Sequence, residues 1–335
     1  MTAAARRIAG PILVTGGAGF IGSHVVEALL AEGREVRVLD DLSTGRQSNL
    51  PLHDPNLELV AGDITDAAIV VEAMRGASAC IHLAAQPGPR AGGDSCDVAM
   101  VNLLGFINVL EAARQCHVAR IAFASSAAVY GEAEGATFSE TTPPRPVTPA
   151  GMEALLAEGY AELYRRQHGL RPLGLRYFPV YGPRQHVRGG IVPDLLQRLD
   201  ARRPILLRGD GHQQQDFIHV EDAAHATLAA LDSAECGVLN VGSGRATSLR
   251  ELVSAVGFAL DVKPMMHFAP AAASNVATGV ADTTALRRVT GLSPARSLRS
   301  GLAMMASDRL ARRRRSTTTL RVPLMRPEPA ARRAF

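Results

Sequence analysis

The stretch Ile12-Leu-Val-Thr-Gly-Gly-Ala-Gly-Phe-Ile-Gly22 constrains this chain more than any other. Three apolar residues run straight into glycines at 16, 17, 19 and 22, and a helical pattern then opens with Ile21, Val25, Val26, Leu29 and Leu30 on one face. The order is strand, tight turn, helix. Gly16 permits the turn, Gly19 lets backbone approach a pyrophosphate, and Gly22 permits close helix–strand contact, so phosphates would sit on the helix N-terminus with Phe20 and Ile21 beside them. A second apolar strand, Glu35-Val-Arg-Val-Leu39, ends in Asp40, whose carboxylate suits ribose hydroxyls and repels a 2′-phosphate. The expected cofactor is therefore NAD rather than NADP.

Further strands and helices alternate. Leu57-Glu-Leu-Val-Ala-Gly-Asp-Ile64 reads as a third strand ending in Asp63, which either receives the adenine amine, with Ile64 lining the ring, or caps the next helix. Ala79-Cys-Ile-His-Leu-Ala-Ala85 is a strand ending in small residues (Leu83, Ala84, Ala85) that leave room for a dinucleotide; His82, inside it, reads as a buried hydrogen-bonded residue. A helix from about Asp97 to Gln115 is apolar on most of its circumference, so it is expected to be covered on more than one side. Ala119 to Ser126 is the next strand, a proline-rich connection follows at 141–149, and helix and strand return at Gly151–Gln167 and Leu173–Phe178. Alternation of this kind predicts an α/β fold, a doubly wound parallel sheet, with a smaller mixed C-terminal domain. The boundaries read as 11–180 for the dinucleotide-binding domain, 181–305 for a substrate domain interleaved with the last sheet strands, and 306–335 for a tail.

Charge is distributed unevenly. Residues 308–335 hold nine arginines against Asp308 and Glu328, a net of +7, so the remainder of this +4 chain carries 4 − 7 = −3. Basic tails can meet nucleic acid, anionic lipid or acidic partners. With its prolines and alanines, and no aromatic but Phe335, this one reads as a solvated disordered end, and no nucleic-acid partner is expected. No apolar run is read as membrane-spanning and no signal peptide is read at the start, and the four cysteines (80, 96, 116, 236) lack a Cys-x-x-Cys pair, so a reducing cytoplasm and no metal site are expected.

Taken together, Thr-Gly-Gly-Ala-Gly-Phe-Ile-Gly, Asp40, Gly62-Asp63, His82-Leu-Ala-Ala-Gln86, Asn102, Ser125-Ser-Ala-Ala-Val-Tyr-Gly131, Leu175-Arg-Tyr-Phe178, Val180-Tyr-Gly-Pro-Arg-Gln185, Gly209-Asp-Gly211, Asp216-Phe-Ile-His-Val220 and Asn240-Val-Gly-Ser-Gly244 resemble the extended short-chain dehydrogenase/reductases. Within them the chain is most similar to NAD-dependent nucleotide-sugar epimerases and dehydratases of the UDP-glucose 4-epimerase kind. The resemblance runs from about 11 to 305. It implies cofactor contacts from Asn102 and Ser125, a nucleotide-sugar substrate, and chemistry by Ser, Tyr and Lys, in which the Tyr removes a hydroxyl proton while hydride passes to the nicotinamide. Ser126 matches the Ser. The expected Pro-Tyr-Gly-x-Ser-Lys, however, reads Pro149-Ala-Gly-Met-Glu-Ala154, which puts Ala150 at the Tyr position and Ala154 at the Lys position. Lys263 is the sole lysine, so no Tyr-x-x-x-Lys exists anywhere in the chain.

Two substrate positions also depart from the resemblance, Pro179 for an Asn and Gln215 for an Arg, while Arg184 and Arg208 remain as candidate anion contacts. Two readings stand. One is an NAD-binding protein whose redox cycle is absent or severely weakened, acting as partner subunit, scaffold or regulator. The other is an atypical enzyme with a replaced base, for which Glu153, Ser126, Tyr130, Tyr181 and His186 are the polar candidates. Helices 97–115 and 151–167 match the family's four-helix dimer contact, which implies a homodimer or a heterodimer with an active homologue.

Overall fold

The structure, a computed structural model, describes residues 10–86, 95–131, 137–186, 189–270 and 279–319. Seven strands form one sheet: β1 (Ile12–Thr15), β2 (Val36–Asp40), β3 (Leu57–Ala61), β4 (Ala79–His82), β5 (Arg120–Ser126), β6 (Arg171–Tyr177) and β7 (Gly237–Val241). Their order is β7-β6-β5-β4-β1-β2-β3, and every neighbouring pair is parallel. The chain builds outward from β1 in one direction and then returns to build from β4 in the other. A crevice must open where the order reverses, above the carboxyl ends of β1 and β4.

Alternation along β1 divides the core. Ile12 and Val14 face α1 (Phe20–Ala31) through Val25, Val26 and Leu29. Leu13 faces the opposite layer, where α2 (Ala67–Met74), α3 (95–115) and α4 (Pro149–His168) supply Met74, Phe106, Leu110 and Ala157. The C-terminal part of the chain carries α5 (Ile191–Asp200), α6 (Val220–Asp232), α7 (Leu249–Leu260) and α8 (Leu298–Thr319), with a short helix over Thr284–Thr290 between the last two, and it holds a third apolar cluster. There Leu195 and Leu199 meet Leu252, Val256 and Leu302. Helix α6 packs on the sheet, since its Ala223, Ala224 and Leu228 join the α1-side cluster.

Local signals explain the element ends that shape the site. Thr148 caps α4 by accepting from the Gly151 amide at 3.1 Å, Pro149 begins its first turn, and Gly169 at φ 69° ends it. Helix α3 is not uniform, because residues Met100–Leu104 make a π turn.

One expectation needs correction. Helix α3 contains the span Cys96–Gln115, which is long and apolar enough to cross a membrane by length and composition. Its apolarity has a different origin: Val98, Phe106, Val109 and Leu110 are buried beside the sheet. Helix α8 runs on through the first part of the expected tail to Thr319, with Ala306 buried and Arg309 Nε 2.7 Å from Asp200 Oδ2. The rest of the expected tail, 320–335, lies outside the described residues.

Candidate functional site

A cleft of about 740 Å³ lies over the reversal point. Gly16, at φ +68°, forms its floor, and a Cβ there would stand 2.6 Å from the Ala84 amide nitrogen. A Cβ on Gly22 would stand 2.1 Å from the Gly16 carbonyl oxygen, so strand and helix meet only because both positions are bare. Gly19 caps α1 without any side-chain acceptor, which leaves the first-turn amides and their partial positive charge facing the cleft. Phe20 and Ile21 line the same wall.

Asp40 closes the far side. Its Oδ2 accepts from the Ala18 amide and its Oδ1 from the Leu42 amide, each at 2.9 Å. Burial pushes its pKa up against the pull of those two amides. The turn and the acid strand are thus tied together before any ligand arrives. Asp63 and Ile64 also line the cleft. The alternative role for Asp63, capping α2, falls to Asp66, which accepts from the Ala68 amide at 2.9 Å. Asp63 instead turns back onto its own loop, accepting from the Thr65 amide at 2.8 Å.

Leu83, Ala84, Ala85 and Ser125 also line the cleft. Asn102 acts at one remove: from the π turn of α3 its Oδ1 accepts from the Gln86 amide at 2.8 Å, and its Nδ2 donates to Glu153 Oε2 at 2.7 Å. Gln86, not Asn102, is the residue on the cleft wall. Such a π turn could not be read from the apolar period, which gives only a helix.

Beside the cleft stands a group of buried polar side chains centred on Glu158. Glu158 accepts from the Ser125 hydroxyl at 2.5 Å and from Arg176 Nε and Nη2 at 2.8 and 2.7 Å, with both ion-pair side chains buried. Arg176 Nη1 also donates to the Tyr130 oxygen at 3.0 Å, and Tyr130 donates to Asn240 Oδ1 at 2.6 Å. Glu158 lies four residues after Ala154 and eight after Ala150 on α4, and that spacing alone places the three on one helix face.

Several candidates sit elsewhere than expected. Tyr130 is fully buried in this network and Tyr181 is buried against His219, and burial pushes both phenols up in pKa, so neither is available to the cleft as a base. His186 lines the cleft. Ser126 lines a separate chamber, with Gln215 and Pro179. Arg184 lines the dinucleotide cleft and pairs with Glu27 of α1, while Arg208 lies exposed on its strand and lines neither space. Met305, Asp308 and Arg309 of α8 also line the cleft; Asp308 and Arg309, placed in the expected tail, and Met305 at its edge were missed.

The fit to a dinucleotide rests on three features: a glycine cradle that any Cβ would fill, an uncapped helix N-terminus, and a carboxylate fixed at the end of β2. This is a dinucleotide-binding protein of the Rossmann class. Residues 12–242 match the model of the NAD dependent epimerase/dehydratase family. The chain belongs to that family. It is 36% identical over 299 residues to the UDP-glucose 4-epimerase of Mycolicibacterium smegmatis, covering 87% of this chain and 96% of the relative. Among solved structures, UDP-glucose 4-epimerase from Thermus thermophilus in complex with NAD superposes with a TM-score of 0.81 at 36% identity, covering 89% of this chain and 98% of that one. The dTDP-glucose 4,6-dehydratase DesIV from Streptomyces venezuelae, with NAD and TYD bound, gives 0.84 at 29% identity, covering 92% and 98%. The cofactor is NAD.

Proposed function

We propose that this chain binds NAD in the cleft but that the family's Tyr–Lys redox cycle is absent or severely weakened in it, so that it serves as a partner subunit, scaffold or cofactor-responsive regulator. One observation carries the reading. The first two turns of α4 present alanine at 150 and 154, and Ala154 lies against the apolar cluster of Val129, Tyr130 and Phe178. Bound NAD supplies a hydride acceptor at its nicotinamide. What this face of α4 then lacks is a group to take the substrate's proton, and loss of a general base costs about 10²–10⁴ in rate. With Lys263 the sole lysine, no ammonium is available near α4 to lower a phenol's pKa or to hold the nicotinamide ribose.

A second reading draws on Glu153, whose carboxylate is held by Asn102, the same side chain that binds Gln86 on the cleft wall. On that reading Glu153 replaces the missing base and the protein turns over a nucleotide sugar. The exposed apolar residues of α3 and α4 support assembly through those helices, as a homodimer or with an active homologue, and four cysteines outside any disulfide suit a cytoplasmic location.

The test is calorimetric titration with NAD followed by assay with UDP-glucose and dTDP-glucose. NAD binding without turnover is expected, and the triple variant Ala150→Tyr/Ala154→Lys/Gln215→Arg, which adds a cation for the diphosphate to the missing pair, should gain turnover that the natural protein lacks. Turnover by the natural protein, abolished by Glu153→Gln, would replace the first reading with the second.

A further inference from the structure

The smaller chamber encloses about 180 Å³ and shares Tyr177 with the dinucleotide cleft. Its shape is built in. Phe138 is buried and stacked on Tyr130 with ring centroids 4.8 Å apart, and a Cβ on Gly279 would come 2.0 Å from the Phe138 ring, so this wall closes only around glycine. Phe178 and Pro179 continue the apolar surface. The Tyr177 hydroxyl is engaged with Thr227 Oγ1 at 2.6 Å, so Tyr177 offers its ring and not its hydroxyl.

Among the described residues, only two lining side chains bring polar groups. The Ser126 oxygen accepts from the Ala128 amide at 3.1 Å, which leaves its hydrogen to donate, and Gln215 brings an amide that both donates and accepts. No arginine, histidine or lysine is among the described lining residues.

We infer that this chamber binds a small, neutral, mainly apolar ring carrying one hydroxyl or carbonyl group, in place of the sugar of a nucleotide diphosphate. The inference deepens the proposed function and rests on its reading of the adjoining cleft as the NAD site. Size permits such a ring, because an apolar cavity of about 150 Å³ is enough to hold benzene. Charge selects it. A diphosphate brought to this mouth surrenders water and finds no cation among the described lining residues in exchange, whereas a single hydroxyl is satisfied by Ser126 and Gln215.

The probe is cyclohexanol, followed by saturation-transfer NMR on the NAD-loaded protein, with UDP-glucose as competitor. Signal transfer to the cyclohexanol ring is expected, unmoved by excess UDP-glucose and weakened about tenfold in Ala127→Phe, which fills the chamber. NAD affinity of Ala127→Phe should equal that of the natural protein. Should that variant not fold, Gln215→Arg replaces it: a cation at the mouth should weaken cyclohexanol binding and admit UDP-glucose.

Displacement of cyclohexanol by UDP-glucose from the natural protein would overturn the inference, as would equal cyclohexanol binding by Ala127→Phe or no binding at all. Failure of NAD to bind is read out separately by calorimetry. It would remove the cofactor reading while leaving the chamber's own measurement intact.

Discussion

At the scale of single residues, the site is shaped as much by buried polar groups as by those that line it. Glu158 is the centre of one such set: held by Ser125 and by both ends of the Arg176 fork, its carboxylate is already committed. His82 is a simpler case. It is buried in β4, lies 2.7 Å from Thr15 Oγ1 and stacks on Phe106, and burial holds its pKa down, to about 4. The folded state therefore resists its protonation while the unfolded state accepts a proton near pH 6.5, and stability falls as pH drops between those values, by at most about 1.4 kcal/mol per unit. Burial lowers His24 and His219 too, with the same sign, whereas burial raises Asp40 and Asp216, with the opposite sign at lower pH. Comparison with His82→Gln isolates the one group. Urea midpoints at pH 7.5 and pH 5 should move apart less in the variant than in the natural protein, and equal separations would show that His82 is not the titrating residue.

Among the elements, α4 is the most legible and α3 the least. Thr148, Pro149 and Gly169 mark both ends of α4 in the sequence, and the glycine turn, Asp40 and the small residues after β4 predict the dinucleotide cleft, because each is a local requirement of backbone shape or charge. The π turn at Met100–Leu104 and the Glu158–Arg176 pair depend on what lies across the fold, so no periodicity announces them. The continuation of α8 past 306 was hidden for a related reason: an arginine-rich composition looks like tail until Arg309 finds Asp200. The outer face of α4 gives a testable consequence. Met152, Leu156, Tyr160 and Leu163 recur at helical spacing and are exposed, as are Met100 and Leu104 on the adjoining α3. Apolar side chains so grouped are expected to be covered by a second subunit. Light scattering at micromolar concentration should report a dimer, and Leu156→Glu should give a monomer that keeps its NAD affinity; a natural protein that is monomeric would refute this face as the contact.

For the molecule as a whole, the cleft is where its two lobes are joined. Its walls come from the β1–α1 turn and the end of β2 on one side, and from residues 182–186 and α8 on the other. Arg184 reaches back to Glu27 on α1, and Arg309 ties α8 to α5 through Asp200. A ligand that touches both lobes stabilises their shared state only, so NAD should raise the stability of the entire chain by mass action, by about 2.7 kcal/mol at a hundredfold excess over its dissociation constant. Selectivity follows from Asp40: the carboxylate held at the end of β2 by Ala18 and Leu42 disfavours a second negative group at the ribose 2′ position. Urea unfolding with NAD should therefore show one transition at a higher midpoint, and the same concentration of NADP should shift it less. Equal shifts would mean that Asp40 does not face the ribose; a shift confined to one of two transitions would mean that the cofactor is held by the Rossmann lobe alone.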